Sequence, residues 1–265
     1  MQLSSKLRVG IVDFLNAWPL AWGFLVGELD DVFEPVYLPP AEVARELAAG
    51  RIDIGLIPSI EVQRVPDLTV VPGLCVAATH EVRSVILLSR GPIEGIRRLA
   101  LDRNSRTSAA LVQILLQARY GIEPTLEVAS PDADEMLSRA DAALIIGDPA
   151  LHLDRAGYQV WDLAAEWRRL TGLPFVFAVW AVRSEAVERA VEIGAQLTES
   201  LDLGLGRLEE IAERAQTQLG VGRAEALTYL TENLSYRLDP DALAGLREFY
   251  LRAADQGLIE RPREL

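Results

Sequence analysis

The chain has 265 residues, half of them hydrophobic, which is enough for two lobes that each bury a core. Its formal net charge of −13 argues against nucleic acid or an anionic membrane as a partner. A single cysteine, Cys75, excludes an internal disulfide and a cysteine-rich metal site. We expect a cytoplasmic protein, because Lys6, Arg8 and Asp13 interrupt any apolar leader and the longest apolar run, 175–182, is too short to span a bilayer.

The first predicted element is a strand over Leu7–Val12, followed by a polar break and a helix that begins near Pro19. In an open α/β sheet, ligands bind in the crevice beyond the carboxyl ends of the strands. Asn16 follows this strand closely and carries a hydrogen-bond donor and an acceptor without a charge. The sequence therefore predicts that Asn16 lies in a ligand-binding cleft.

Short apolar runs then alternate with helical patterns, which predicts βαβ units and a mostly parallel sheet. The predicted strands of this part are Leu7–Val12, Val32–Leu38, Ile52–Ile57, Leu68–Cys75 and Ser84–Leu88. The predicted helices between them are 19–27 and 40–49. The run 53–59 is echoed by 141–148, since both begin with an acid, are apolar, and end with Gly or Pro beside a small or polar residue. This echo indicates two lobes of similar construction.

The pattern restarts after a turn-rich segment at 89–92, and the chain then reads as helical from Ser184 onward. The second set of predicted elements is strands near 98–101, 125–128 and 142–146 and helices at 107–120, 185–201, 205–219, 224–233 and 240–256. Two segments, 84–89 and 175–182, are placed to carry the chain between lobes and to form a hinge with a cleft. The predicted lobe 1 is residues 1–88 and 179–265, and the predicted lobe 2 is residues 89–178.

Hydroxyl groups and a guanidinium crowd the predicted start of the helix at 107–120. These residues are Ser105, Arg106, Thr107 and Ser108. Backbone N–H groups at a helix N-terminus favour an anion, and hydroxyls add donors to them. We expect a carboxylate to bind here, with phosphate as an alternative ligand. The other interpretation is an ordinary helix cap with spare polar residues.

Three further places lie near the predicted junctions of the lobes. Arg83 pairs either with a carboxylate or with a neighbouring acid, and Ser84 donates a hydrogen bond into the cleft. The alternative is that both residues face water at a strand edge. Gly147 lets the backbone approach a ligand or makes a turn, and Asp148 is first a helix cap and alternatively a functional acid. Phe175 follows a turn and is expected to line the cleft. The two histidines lack the spacing of metal ligands, so no metal is predicted.

Six segments, taken in order, carry a resemblance to a known family. They are Arg8–Leu20, Gly50–Ser59, Arg83–Val85, Ser105–Ser108, Ile146–Leu151 and Thr171–Ala178. Together they resemble the chorismate dehydratase family of the futalosine route to menaquinone, and the resemblance continues through 245–250. The chain differs at 12–14, where it has Val-Asp-Phe and the family often has a small polar residue and Tyr before Leu-Asn.

The resemblance implies a type II periplasmic-binding-protein fold used by a hydro-lyase that needs neither a metal nor a redox cofactor. The implied substrate is chorismate, a dicarboxylate that loses water to give 3-[(1-carboxyvinyl)oxy]benzoate. The implied catalytic residues are Asn16 and Ser84, which would hydrogen-bond the reacting ring substituents. The expected substrate-binding residues are Pro58, Ser59, Arg83, Ser105, Arg106, Thr107, Ser108, Gly147, Asp148 and Phe175.

The sequence leaves several alternatives open. The base is either the enolpyruvyl carboxylate of the substrate or Asp148. One alternative function is that of 1,4-dihydroxy-6-naphthoate synthase, whose first turn resembles Ser-Pro-Cys-Pro-Asn-Asp-Thr where this chain has Asp-Phe-Leu-Asn at 13–16. Another is a non-catalytic solute-binding protein, which should carry a signal peptide or lipid anchor. The helices after Ser184 either cover a homodimer face or pack on the first lobe.

Overall fold

The computed structural model describes residues 6–184 and 190–264, which form two β-sheets with helices packed on them. The strands are β1 (Leu7–Val12), β2 (Phe33–Leu38), β3 (Ile54–Pro58), β4 (Leu68–Ala78), β5 (Val85–Ser89), β6 (Arg98–Asp102), β7 (Thr125–Ala129), β8 (Ala142–Ile146), β9 (Gln159–Asp162), β10 (Phe175–Arg183) and β11 (Ser235–Arg237). The arrangement confirms the predicted two-lobed α/β fold with a cleft between the lobes.

The helices connect these strands and then cover the first sheet with a C-terminal helical segment. They are α1 (Trp18–Leu25), α2 (Pro40–Ala48), α3 (Glu61–Arg64), α4 (Thr107–Tyr120), α5 (Ala133–Arg139), α6 (Asp148–His152), α7 (Leu163–Thr171), α8 (Ala190–Leu205), α9 (Leu208–Leu219), α10 (Arg223–Thr228) and α11 (Pro240–Asp255). Within residues 6–184 and 190–264, none of these helices is long and apolar enough to cross a membrane.

Both sheets are mixed, and each combines a parallel core with antiparallel strands. The six-stranded sheet has the order β11-β4-β10-β3-β1-β2, with β1 parallel to its neighbours β2 and β3 and β10 antiparallel to β3 and β4. The five-stranded sheet has the order β7-β6-β8-β5-β9, with β6 parallel to β7 and β8 and β5 antiparallel to β8 and β9. The central strands β3 and β8 are buried along their whole length, because helices cover both faces of such strands.

The predicted lobe boundaries are wrong, because the chain passes from one sheet to the other at different residues. Strand β5 pairs with β8 and β9 along its length, so 85–89 belongs to the second sheet and not to lobe 1 (1–88). Strand β10 pairs with β3 and β4, so its first residues belong to the first sheet and not to lobe 2 (89–178). The connections are therefore 79–84 and 172–174. A continuous apolar run marks a buried strand, but it does not tell which sheet the strand joins.

The sequence predicted that the C-terminal part is helical throughout, and this prediction is wrong. A three-residue strand, β11, pairs with β4, and the predicted helix 224–233 is divided into α10 and a π-helical turn over Tyr229–Asn233. The start of the predicted helix 185–201 lies outside the described residues at 185–189. A strand of three residues is too short to produce a recognisable alternation of apolar and polar side chains.

The packing of α8 against α1 holds the first turn in place, since α1 begins directly after that turn. Gly204 of α8 approaches the backbone of Pro19 so closely that an added Cβ would overlap the Pro19 carbonyl oxygen. The buried Ser200 hydroxyl accepts a hydrogen bond from the Gly23 backbone N–H at 3.0 Å. Only glycine allows this distance between the two helices.

Gly204→Ala is expected to reduce the free energy of unfolding by about 1–3 kcal/mol, because the methyl group forces α8 away from α1. Gly206→Ala is the matched control, since the nearest atom to a Cβ there is 3.4 Å away, and it should change that free energy by less than about 0.5 kcal/mol. Urea unfolding followed by circular dichroism measures both. Equal stability of the two variants would show that the close approach does not matter.

Candidate active site

A cavity that is partly open to solvent lies between the two lobes near the carboxyl ends of β1, β3 and β8. Its apolar lining consists of Val12, Phe14, Ala17, Pro40, Leu56, Pro58, Val76, Val82, Val85, Ile146, Phe177 and Ala178. The rest of the lining is Asn16, Asn104, Arg106, Thr107, Ser108 and Gly147. A mostly apolar pocket with a few polar groups is typical of a site for a small molecule.

The structure brings half of the predicted site residues to the cavity wall and places the other half next to it. The residues that line the cavity are Asn16, Pro58, Arg106, Thr107, Ser108 and Gly147. The residues that do not line it are Ser59, Arg83, Ser84, Ser105, Asp148 and Phe175. The contacts of this second group show that most of them hold the wall in place.

Asn16 lies where the sequence predicted, in a one-turn 3₁₀ segment over Leu15–Ala17 between β1 and α1. Its side chain is half-buried and reaches the cavity. Within residues 6–184 and 190–264, no hydrogen bond engages its side-chain amide. Both the amide N–H₂ and the amide oxygen are therefore available to a ligand.

The turn that carries Asn16 is held by the opposite lobe. The Leu15 backbone N–H donates to Oδ1 of Asp148 at 3.1 Å. The Phe14 ring packs on Gly147, which has a φ of 69°, and a Cβ at Gly147 would lie 2.7 Å from that ring. A glycine is therefore required at 147 both for the backbone angle and for the approach of Phe14.

The sequence predicted first that Asp148 caps a helix, and the structure shows that it does not. Gly147 is the N-cap of α6, and Asp148 is the first helical residue. Its carboxyl group is buried, and the burial raises its pKa to about 6, although the Leu15 N–H partly opposes the shift. A buried carboxyl with a raised pKa beside a cleft is typical of functional sites, and here it acts on the first turn.

Thr107 connects the lobes rather than leaving its hydroxyl free for a ligand. The Ser59 hydroxyl donates to the Val176 carbonyl at 2.8 Å, so its oxygen accepts from Thr107 Oγ1 at 3.3 Å. Thr107 Oγ1 in turn accepts from the Ile60 backbone N–H at 3.2 Å. The Thr107 hydroxyl therefore both donates and accepts a hydrogen bond in this contact between the lobes.

The start of α4 keeps other donors for an anion. Ser108 and Arg106 line the cavity, and no hydrogen bond engages either side chain within the described ranges 6–184 and 190–264. The Ser105 hydroxyl is buried and has no partner among those residues. The loop before the helix is shaped by Asp102, which accepts from the Asn104 N–H at 2.9 Å. These groups, with the first-turn N–H groups of α4, form a cradle for a carboxylate or phosphate.

Arg83 and Ser84 occupy the first connection between the lobes. Arg83 has a φ of 63°, its backbone N–H donates to Asp162 Oδ2 at 2.6 Å, and its guanidinium pairs with Glu225 at 2.8 Å. This ion pair corresponds to the neighbouring-acid alternative that the sequence left open for Arg83, and not to a contact with a carboxylate of the ligand. Ser84 is fully buried, and Val82 and Val85 on either side of it in the sequence line the cavity. Its hydroxyl oxygen accepts a hydrogen bond from the Tyr229 hydroxyl, which lies in the same C-terminal segment as Glu225.

Phe177, and not Phe175, is the phenylalanine of β10 that lines the cavity. Phe175 is buried beneath it, with ring centroids 4.8 Å from Phe177, 5.3 Å from Trp167 and 5.0 Å from Phe249. The two phenylalanines are two residues apart on one strand and share a face, so the alternation of the strand does not distinguish them. Phe14 and Asn104 were also missed, although both stand within two residues of predicted contacts.

The two sheets and the cavity between them have the arrangement of the periplasmic-binding-protein fold. A protein from Archaeoglobus fulgidus has a similar structure, with a TM-score of 0.78 and 18% identity, over 97% of this chain and 100% of that one. The periplasmic aliphatic sulphonate binding protein SsuA from Escherichia coli is similar with a TM-score of 0.68 and 16% identity, over 99% and 94% of the two chains. Within residues 6–184 and 190–264, no group of three or more His, Cys, Asp or Glu could hold a metal ion. The expected absence of a metal and a cofactor stays a prediction.

Sequence comparison places the chain more narrowly. A family model described as menaquinone biosynthesis matches residues 7–255. The chorismate dehydratase of Thermus thermophilus is 34% identical over 235 residues, which are 82% of this chain and 85% of that protein. The chorismate dehydratase of Campylobacter jejuni is 34% identical over 142 residues, which are 52% of this chain and 49% of that protein. The chain belongs to the chorismate dehydratase family of menaquinone biosynthesis.

Asp148→Asn is expected to change how stability depends on pH. The folded-state pKa of about 6 lies above the ordinary value of 3.8, so the folded protein binds this proton more tightly than the unfolded chain. The free energy of unfolding therefore falls as the pH rises from about 4 to about 6, by on the order of 2–3 kcal/mol. The neutral amide removes this loss and keeps an oxygen for the Leu15 N–H.

Urea unfolding between pH 4 and pH 8 measures this effect. Asp141→Asn is the control of opposite sign, because the Arg97 and Arg98 backbone N–H groups lower the pKa of Asp141. That control should be less stable than the original protein above pH 4, whereas Asp148→Asn should be more stable above pH 6. If the free energy of unfolding of Asp148→Asn depended on pH in the same way as that of the original protein, burial would not raise the pKa of Asp148.

Proposed function

We propose that this protein is a chorismate dehydratase that converts chorismate to 3-[(1-carboxyvinyl)oxy]benzoate and water. The observation that carries the proposal is the 34% identity to the Thermus thermophilus chorismate dehydratase over 82% of this chain. The cavity supports it, because an uncharged amide and an anion cradle face a largely apolar space. These are the groups that a ring with carboxylates and a leaving hydroxyl requires.

The proposed reaction removes one proton and one hydroxide from neighbouring ring carbons. The proton leaves carbon 3, the C3–H electron pair becomes a ring double bond, and the hydroxyl leaves carbon 4. The proton and the hydroxide together make the water that is released. Aromatisation of the ring supplies the driving force, so the balance needs neither an oxidant nor a reductant.

We assign the carboxylate of the substrate to the start of α4. Ser108, Arg106 and the first-turn N–H groups of the helix supply donors and positive potential there. This local attraction matters because the protein has a net charge of −13, which repels an anion at longer range. The apolar side chains opposite the cradle would exclude water from the ring.

Asn16 would donate a hydrogen bond to the leaving hydroxyl, where negative charge grows as the C4–O bond breaks. An amide has no basic nitrogen at neutral pH, so Asn16 does not take the proton. We do not assign that role to Asp148, because its carboxyl group accepts the Leu15 N–H and thereby holds the first turn in place. We therefore favour the enolpyruvyl carboxylate of the substrate as the base.

We further propose that the reaction belongs to the futalosine route and takes place in the cytoplasm. The acidic composition supports a function without nucleic acid or an anionic membrane as a partner. The homodimer left open by the sequence remains a prediction, and light scattering of the purified protein checks it.

Incubation of the purified protein with chorismate tests the proposed activity. We expect the diene absorbance of chorismate to disappear and the substituted benzoate to form in equal amount. Chorismate that binds without turnover would support the solute-binding alternative. Chorismate that neither binds nor reacts at high protein concentration would contradict the proposal and leave the naphthoate synthase alternative to be assayed.

Asn16→Ala is expected to lower kcat by about 10²–10³-fold with little change in KM, because its hydrogen bond strengthens as the hydroxyl leaves. Ser108→Ala is the comparison, since loss of a carboxylate contact should mainly raise KM. Steady-state kinetics with chorismate separates the two. Full activity of Asn16→Ala would remove Asn16 from the catalytic role.

A further inference from the structure

Tyr229 makes a buried hydrogen bond to Ser84, one of the two residues for which the resemblance to the chorismate dehydratase family implies a catalytic role. The Tyr229 hydroxyl donates to Ser84 Oγ over 2.6 Å, and both residues are fully buried. Tyr229 begins the π-helical turn that follows α10. Such turns interrupt regular helices at a cost and are frequent at functional sites.

Ser84 is buried behind the cavity wall, next to Val85, which lines the cavity, and its backbone is fixed. The Ser84 carbonyl accepts the N–H of Gly147, a cavity residue, at 2.8 Å, next to the pairing of β5 with β8 in the second sheet. The preceding residue, Arg83, is held through its N–H by Asp162 and through its carbonyl by Arg155 at 2.8 Å. With the backbone fixed, the remaining freedom of Ser84 is the rotation of its side chain.

The direction of the hydrogen bond leaves Ser84 with a proton to give. The Tyr229 hydroxyl donates to Ser84 Oγ, and it stays protonated because burial raises its pKa. Within residues 6–184 and 190–264, the contact with Tyr229 is the one hydrogen bond that Ser84 Oγ makes. The Ser84 O–H therefore has no acceptor there, and a donor bond to its oxygen makes that O–H a stronger donor.

We propose that Tyr229 is a positioning residue that fixes the Ser84 hydroxyl as a hydrogen-bond donor for the reacting ring substituents. This inference rests on the proposed function and on the catalytic role that the family resemblance implies for Ser84. Glu225, one helical turn before Tyr229, pairs with Arg83 at 2.8 Å and brings the same C-terminal segment to the same connection. The C-terminal helices would thus contribute to catalysis without touching the substrate.

The test compares Tyr229→Phe with Tyr236→Phe in steady-state kinetics with chorismate. Tyr236 is the matched control, because it is buried in the same C-terminal segment and its hydroxyl has no partner among the described residues. We expect Tyr229→Phe to lower kcat about tenfold with KM changed less than about twofold. We expect Tyr236→Phe to retain the original kcat.

Tyr229→Phe is also made in a Ser84→Ala variant. This double variant shows whether Tyr229 acts through the Ser84 hydroxyl or only supports the fold. If Tyr229 acts through Ser84, Tyr229→Phe should change kcat less than about twofold there. An equal loss in both backgrounds, or no loss in the original one, overturns the proposal. If Tyr229→Phe does not fold, 3-fluorotyrosine at 229 is the second variant, since a stronger donor should raise kcat and an unchanged kcat overturns the proposal.

The failure of the proposed function would look different. No turnover of chorismate by the original protein contradicts the proposed activity. Ser84→Ala with full kcat overturns the catalytic role of Ser84 and the role of Tyr229 together. A loss of activity in Ser84→Ala with none in Tyr229→Phe overturns the role of Tyr229 alone.

Discussion

The site depends on the contact between the first turn and the opposite lobe, where the Leu15 N–H meets the Asp148 carboxylate and Phe14 packs on Gly147. A buried carboxylate is costly, and the raised pKa of Asp148 reflects that cost. In return, the turn that carries Asn16 gains a fixed position relative to the other wall of the cavity. An amide can stabilise a leaving hydroxyl only if its position is set before the reaction begins.

A second contact between the lobes, from Thr107 to Ser59 and Ile60, lies at the start of α4. The polar groups of the site therefore fall into two sets. Those that connect the lobes, such as Thr107 and Asp148, already have partners inside the protein. Those that face the cavity, such as Asn16 and Ser108, have donors left for a ligand. This division makes the site rigid and still able to bind, which is what catalysis by positioning requires.

The sequence predicted that there are two lobes, that Asn16 lies at the cavity and that a helix begins at Thr107, because each has a local signal, but it misplaced the lobe boundaries. The similar segments 53–59 and 141–148 also have equivalent places in the two sheets, since β3 and β8 each lie between one parallel and one antiparallel neighbour. The contact between Asp148 and Leu15 could not be predicted, because it joins residues 133 positions apart and competes with a local cap. Nor could the choice of Phe177 over Phe175, which depends on the helices packed beneath β10.

A crystal structure of the Asn16→Ala variant with chorismate tests the central claim most directly, because the slowed reaction leaves the substrate in place. We expect a carboxylate of chorismate within hydrogen-bond distance of Ser108 Oγ and the first-turn N–H groups of α4. We also expect the hydroxyl of ring carbon 4 beside the space left by the Asn16 side chain. Chorismate bound with both carboxylates away from α4, or outside the cavity between the lobes, would contradict the account.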